Sequence, residues 1–181
     1  MNEFGCLCVI LETIDFSDGA VLPIQVPRLG SNGWMSSKPQ RIEVVLETVI
    51  ESIALAEEVG VRVAAAAGFD EDDQYKIGLA VHEGVMNAFL YGNEQRRERK
   101  IHVVFELLHE KLVIRVTDQG TGFPLEDVPD PREDQNVLGD SGRGVLLMKA
   151  FMDEFNVLVS ATGGAEVVMA KRYRKQISQT I

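Results

Sequence analysis

Three short stretches combine residue types and spacings that can do chemistry. In the first, Glu83 and Asn87 lie one helical turn apart in a segment, 77–91, that is otherwise strongly apolar. At i, i+3, i+4 spacing, Ala80, Glu83, Gly84, Asn87 and Tyr91 form one stripe. A helix apolar nearly all round is buried, so Glu83 and Asn87 sit where polar groups are costly. Small Ala80 and Gly84 leave room beside them. The Asn87 carboxamide is a neutral oxygen donor suited to a hard cation such as Mg²⁺, and the Glu83 carboxylate can accept a proton. A solvated helical stripe would carry the same two residues.

The second stretch is Asp118-Gln119-Gly120-Thr121-Gly122, directly after an apolar alternation in which Leu112, Ile114, Val116 and Asp118 share one strand face. A carboxylate ending such a row suits a ligand amine, and Gly120 and Gly122 permit close backbone approach. A polar turn closing a strand has the same composition. The third is Gly142-Arg143-Gly144 opening a helix. Amides at a helix start, with the Arg143 cation, favour an anion such as phosphate. Neither a P-loop nor a dinucleotide fingerprint is present. A hinge before a helix reads alike.

These groups need a scaffold. Residues 6–11 and 41–46 read as strands, with a further short strand at Ile24–Val26 and Trp34 as an anchor in the loop-rich segment between them. Helical periodicity covers 49–67 and ends at Gly68, and acidic residues from Asp70 open a second helix running from Asp72 to about Tyr91. A hairpin follows (101–108 and 112–118), then a long Gly/Pro/Asp-rich segment, 119–141. A helix from Gly144 to about Glu154 and strands at 155–161 and 165–173 close the pattern. The predicted class is α+β, with helices segregated from a mostly antiparallel sheet.

Composition narrows the field. The 181 residues, 45% hydrophobic and 25% charged, are enough for one self-supporting domain. With 18 Lys+Arg against 28 Asp+Glu, the net charge of −10 argues against direct nucleic-acid binding. The two cysteines, Cys6 and Cys8, make no disulfide framework and lack the four ligands of a structural zinc site, so they are expected to be small buried residues. No signal peptide or membrane span is legible, and a cytoplasmic location is expected.

Taken in order, the three stretches resemble the Bergerat-type ATP-binding fold of the GHKL superfamily. The resemblance is strongest to the anti-sigma-factor serine/threonine kinases. It is carried by Leu79-Ala80-Val81-His82-Glu83-Gly84-Val85-Met86-Asn87-Ala88 and by Gly142-Arg143-Gly144-Val145-Leu146-Leu147-Met148-Lys149-Ala150-Phe151-Met152-Asp153-Glu154. It implies a two-layer sandwich with a mixed, mostly antiparallel sheet and helices on one face. The implied organisation is an N-terminal extension (1–39), a histidine-kinase-like ATP-binding domain (40–174) and a short tail (175–181). By the same resemblance Asn87 holds Mg²⁺, Asp118 bonds the adenine amino group, and Gly120 and Gly122 line the base pocket. Residues 124–141 form a lid, Gly142, Arg143 and Gly144 meet the phosphates of ATP, and Glu83 is the base for a protein hydroxyl. The implied partners are a sigma factor and its antagonist protein, the implied state a homodimer.

The chain departs from the family pattern at two places. Leu90-Tyr91 stands where the family has Glu-His, and Ala165 where it has a Thr that helps bind the base. The alternative these departures support is a non-catalytic nucleotide-binding module that regulates a partner by binding alone.

Overall fold

The computed structural model describes residues 6–9, 40–121, 140–160 and 163–174. Strands β1 (Cys6–Val9) and β2 (Gln40–Glu47) are followed by helices α1 (Glu51–Ala66) and α2 (Glu71–Asn87). A π turn (Ala88–Gly92) extends α2, and β3 (Lys100–Leu107), β4 (Lys111–Thr117), α3 (Asp140–Phe151), β5 (Glu154–Val159) and β6 (Ala165–Arg172) complete the fold. The sheet order is β1-β2-β3-β4-β6-β5. β1 runs parallel to β2 and every other pairing is antiparallel, so the predicted mixed, mostly antiparallel α+β sandwich is the architecture found. The strand expected at Ile24–Val26, the anchor Trp34, Gly122 and the expected lid up to residue 139 lie outside the described residues, as do the cysteine side chains.

Strand alternation builds the core. Val44 pairs with Val103, Val103 with Val116, and Val116 with Val167, and all four are buried on the helix-facing side of the sheet. Phe105, Ile114 and Met169 form the next row and are fully buried. Each such side chain contributes about 1.5–3 kcal/mol relative to exposure. The opposite face alternates to charge: Glu106 bridges Arg41 and Arg115, and Arg115 reaches Glu166.

Helices α1 and α2 cross closely. A Cβ on Gly78 would meet Val61 Cγ2 at 2.6 Å, and one on Gly60 would meet Val81 Cγ2 at 3.0 Å. Helix α1 ends as expected at Gly68, whose φ of 83° permits the turn. Its N–H bonds the Ala65 carbonyl and the next amide, of Phe69, bonds Ala64. Asp70 caps α2, its Oδ1 accepting from the Asp73 N–H at 2.9 Å. Asp73 itself is buried, faced by Lys171 Nζ at 3.4 Å and Arg174 Nε at 3.2 Å.

Two boundaries differ from the sequence reading. The α-helix expected to reach Tyr91 stops at Asn87, because the Asn93 N–H reaches back five residues to the Ala88 carbonyl (2.7 Å) and widens the last turn. The helix expected from Gly144 to Glu154 runs Asp140–Phe151. Asp140 and Ser141 suit a helix start, so the helix initiates before the glycine pair, and Gly142 and Gly144 lie inside it. At its end the Asp153 N–H turns to the Ala170 carbonyl of β6 (2.9 Å).

The chain's last described turn carries a titratable reporter. The Tyr173 ring packs on Phe69, centroids 5.0 Å apart, and burial pushes the phenol from its usual 10 up to about 12. The folded state therefore holds the proton that the unfolded chain releases first, and stability falls as pH rises through the window from 10 to about 12. Urea midpoints measured from pH 9 to 12 should show this decline in the wild type and a shallower one in Tyr173→Phe. Equal slopes would contradict it.

Candidate functional site

Helix α2, the end of β4, helix α3 and strands β5 and β6 enclose one cleft. Its floor is apolar, from Val116, Val145, Met148, Val157 and Val167, and its polar groups are Asn87 and Asp118. An apolar pocket with a few fixed polar groups is the usual form of a small-molecule site. Gly84 lines the same cleft, and a Cβ there would lie 3.2 Å from Val116 Cγ2.

Asp118 is 5% exposed, and its carboxylate is used asymmetrically. Oδ1 accepts from the Gly120 N–H at 2.8 Å and from the Ala165 N–H at 3.0 Å. Oδ2 has no hydrogen-bond partner among the described residues. A carboxylate with one oxygen saturated by backbone amides and the other free can accept one N–H from a ligand. Three glycines keep it so. A Cβ on Gly92 would overlap the Asp118 carboxylate, one on Gly164 the Asp118 carbonyl, and one on Gly120 the Gly92 carbonyl.

Ala165 thus serves this site through its backbone. Its carbonyl accepts from the Asp118 N–H (3.1 Å) and its N–H holds Oδ1, and the residue also lines the cleft, where alanine offers no hydroxyl. Tyr91 is 52% exposed at the π turn and does not line the cleft.

Glu83 and Asn87 are both half-buried, and neither side chain has a hydrogen-bond partner among the described residues. Glu83 lies over the first turns of α3, where a Cβ on Gly144 would overlap its Oε2. The fold therefore brings Glu83, Asn87, Asp118, Gly120 and Gly144 together from three separate stretches of sequence. Arg143 is exposed on α3, and Gly142 lies in that helix's first turn.

A buried polar group missed by the sequence reading supports the site from behind. Asn93 is fully buried, its Nδ2 donating to Thr48 Oγ1 (2.8 Å) and the Lys100 carbonyl (3.1 Å), its Oδ1 accepting from the Gln119 N–H (2.8 Å). Its only sequence signal is a Gly-Asn pair ending a helix, which also reads as an ordinary cap.

The family model of the histidine kinase-like ATPase domain matches residues 46–171, from the last residues of β2 into β6. The chain belongs to that family. Among its relatives, the serine-protein kinase RsbW of Staphylococcus aureus (strain MSSA476) is 30% identical over 149 residues, which span 78% of this chain and 92% of that protein. The RsbW of the bovine strain RF122 / ET3-1 gives the same figures. The solved RsbU and RsbW domains of Rv1364c from Mycobacterium tuberculosis match with a TM-score of 0.50 and 16% identity. That match covers 73% of this chain and 32% of the other, and it speaks for the shared fold. This histidine kinase-like ATPase groups with the RsbW-type anti-sigma-factor kinases, as the motif resemblance implied. No helix among its described residues is long and apolar enough to cross a membrane.

Proposed function

We propose that this protein is an ATP-dependent serine/threonine kinase that phosphorylates an antagonist protein and sequesters a sigma factor, acting as a homodimer in the cytoplasm. One observation carries the reading: Asn87 and Asp118 line one apolar cleft, Glu83 lies one turn away over the start of α3, and none of Glu83, Asn87 and Asp118 Oδ2 has a hydrogen-bond partner among the described residues. The 30% identity to RsbW kinases across most of both chains supports it.

The residues fit ATP and Mg²⁺. Asp118 Oδ2 would accept from the amino group of adenine, and a Cβ at Gly92 or Gly164 would collide with Asp118 itself. Asn87, whose carboxamide has no hydrogen-bond partner among the described residues, would hold Mg²⁺ through its neutral oxygen, a donor of the kind a hard cation takes. When bound, Mg²⁺ neutralises phosphate charge and fixes phosphate geometry. Glu83 Oε2, beside Gly144, takes the proton from the serine or threonine hydroxyl as that oxygen attacks the γ-phosphorus and ADP leaves. Phosphoryl transfer asks little covalent chemistry of the protein, so positioning dominates.

The test is direct. The protein is incubated with γ-labelled ATP, Mg²⁺ and the antagonist encoded beside it, and the label is expected on a serine or threonine of the antagonist. Nucleotide binding without label on any partner would support the binding-module reading instead, to which Leu90-Tyr91 and Ala165 point. Absence of nucleotide binding would overturn both.

A further inference from the structure

Asn93 neither lines the cleft nor belongs to the apolar core, yet it is fully buried and its bonding is specific. Both Nδ2 protons are used, on Thr48 Oγ1 and the Lys100 carbonyl, and Oδ1 holds the Gln119 N–H. Exchanging the carboxamide's oxygen and nitrogen would set donor against donor at Gln119, so one orientation is fixed. Thr48 Oγ1 in turn donates to the Arg99 carbonyl at 2.8 Å, and Gln119 Oε1 accepts from the Lys100 N–H at 2.8 Å. One side chain thereby ties together the β2–α1 turn, the start of β3 and the residue following Asp118.

That last link has a functional consequence. The β4–β6 register ends at Thr117, and Asp118 begins the turn that leaves the sheet. Residue 119 is fixed by Asn93, while residue 120 is pressed against the Gly92 carbonyl, which Arg99 Nη1 also holds at 3.2 Å. The Asp118 carboxylate is held at Oδ1 by the Gly120 amide of this short span and by the Ala165 amide of β6, so moving the span turns Oδ2. A displacement of about 1 Å is enough to weaken a directional, charge-assisted hydrogen bond.

We propose that Asn93 is a positioning residue for nucleobase recognition, aiming Asp118 Oδ2 into the cleft by holding the Gln119 amide. The inference rests on the reading of Asp118 as the group that accepts from the adenine amino group. A residue that only stabilised the fold would weaken all nucleotides alike. One that acts through Asp118 affects only nucleotides carrying the amino group.

The experiment compares binding of ATP with that of purine riboside triphosphate, which lacks only the 6-amino group, using the full-length protein. The variants are Asn93→Ala and the isosteric Thr48→Val, which removes an acceptor of Asn93 Nδ2 without opening a cavity. The wild type is expected to prefer ATP by about tenfold or more. Asn93→Ala should reduce ATP affinity toward that of the analogue, leave the analogue within about threefold, and show losses non-additive with Asp118→Asn. Thr48→Val should shift the preference in the same direction by less, and it decides the matter where Asn93→Ala does not fold. A preference for ATP retained in the folded variants, or equal weakening of both nucleotides, overturns this role for Asn93 alone. A wild type that binds both nucleotides equally overturns the assignment of Asp118, and this inference with it.

Discussion

Asp118→Asn is expected to lose ATP affinity by about 100-fold or more while the protein stays folded. The substitution is isosteric, so the packing against Gly92 and Gly164 survives. The difficulty is one of donors and acceptors. If the asparagine oxygen keeps the Gly120 and Ala165 amides, the NH₂ replaces Oδ2 and presents a donor to the ligand's amino donor. If it turns over, the NH₂ faces two backbone N–H groups and the site itself is broken. Both arrangements forfeit a charge-assisted hydrogen bond worth about 1.5–3 kcal/mol and leave a desolvated donor unpaired. Isothermal titration with ATP, alongside a thermal melt, measures the two effects separately. Wild-type affinity in the variant would remove Asp118 from the recognition scheme.

Glu83→Gln should separate binding from transfer. Glu83 lies over Gly144, and glutamine fills the same space, whereas alanine would leave a gap above α3. With no base to receive the hydroxyl proton, transfer to the antagonist is expected to slow by about 10²–10⁴-fold. ATP affinity should stay within about threefold, since the lost interaction belongs to the transition state. Single-turnover transfer of labelled phosphate, run beside an equilibrium binding curve, reads both quantities. An unchanged transfer rate would rule Glu83 out as the base.

Much of the fold was legible because its signals are periodic. The alternation in 101–107 and 112–117 marks both the strands and their buried face, and the acidic opening at Asp70–Asp73 marks the α2 start. Glu83, Asn87 and Asp118 stood out as polar residues in apolar rows, a contrast visible without tertiary structure. What stayed hidden depends on long-range contacts. The π turn ends with the Asn93 and Gln95 amides reaching back to the Ala88 and Phe89 carbonyls. Asn93 itself bonds residues 45 and 26 positions away, so nothing in its local sequence separates it from a helix cap. Gly92 and Gly164 likewise matter only because Asp118 packs against them.

The position of Asp118 has a consequence for how the cleft can be observed. In a regular antiparallel pair, the Ala165 N–H would donate to the Asp118 main-chain carbonyl. Here it donates to Oδ1 instead, so the last pair of the β4–β6 ladder is closed by one main-chain bond, from the Asp118 N–H to the Ala165 carbonyl, and one side-chain bond. One bond of that last pair and the oxygen proposed to meet the ligand therefore belong to one carboxylate. A rotation of the carboxylate that breaks the Oδ1 bond frees the Ala165 amide to exchange with solvent. One deuterium-sensitive proton, buried at the wall of the cleft, thus keeps a record of whether the carboxylate is set.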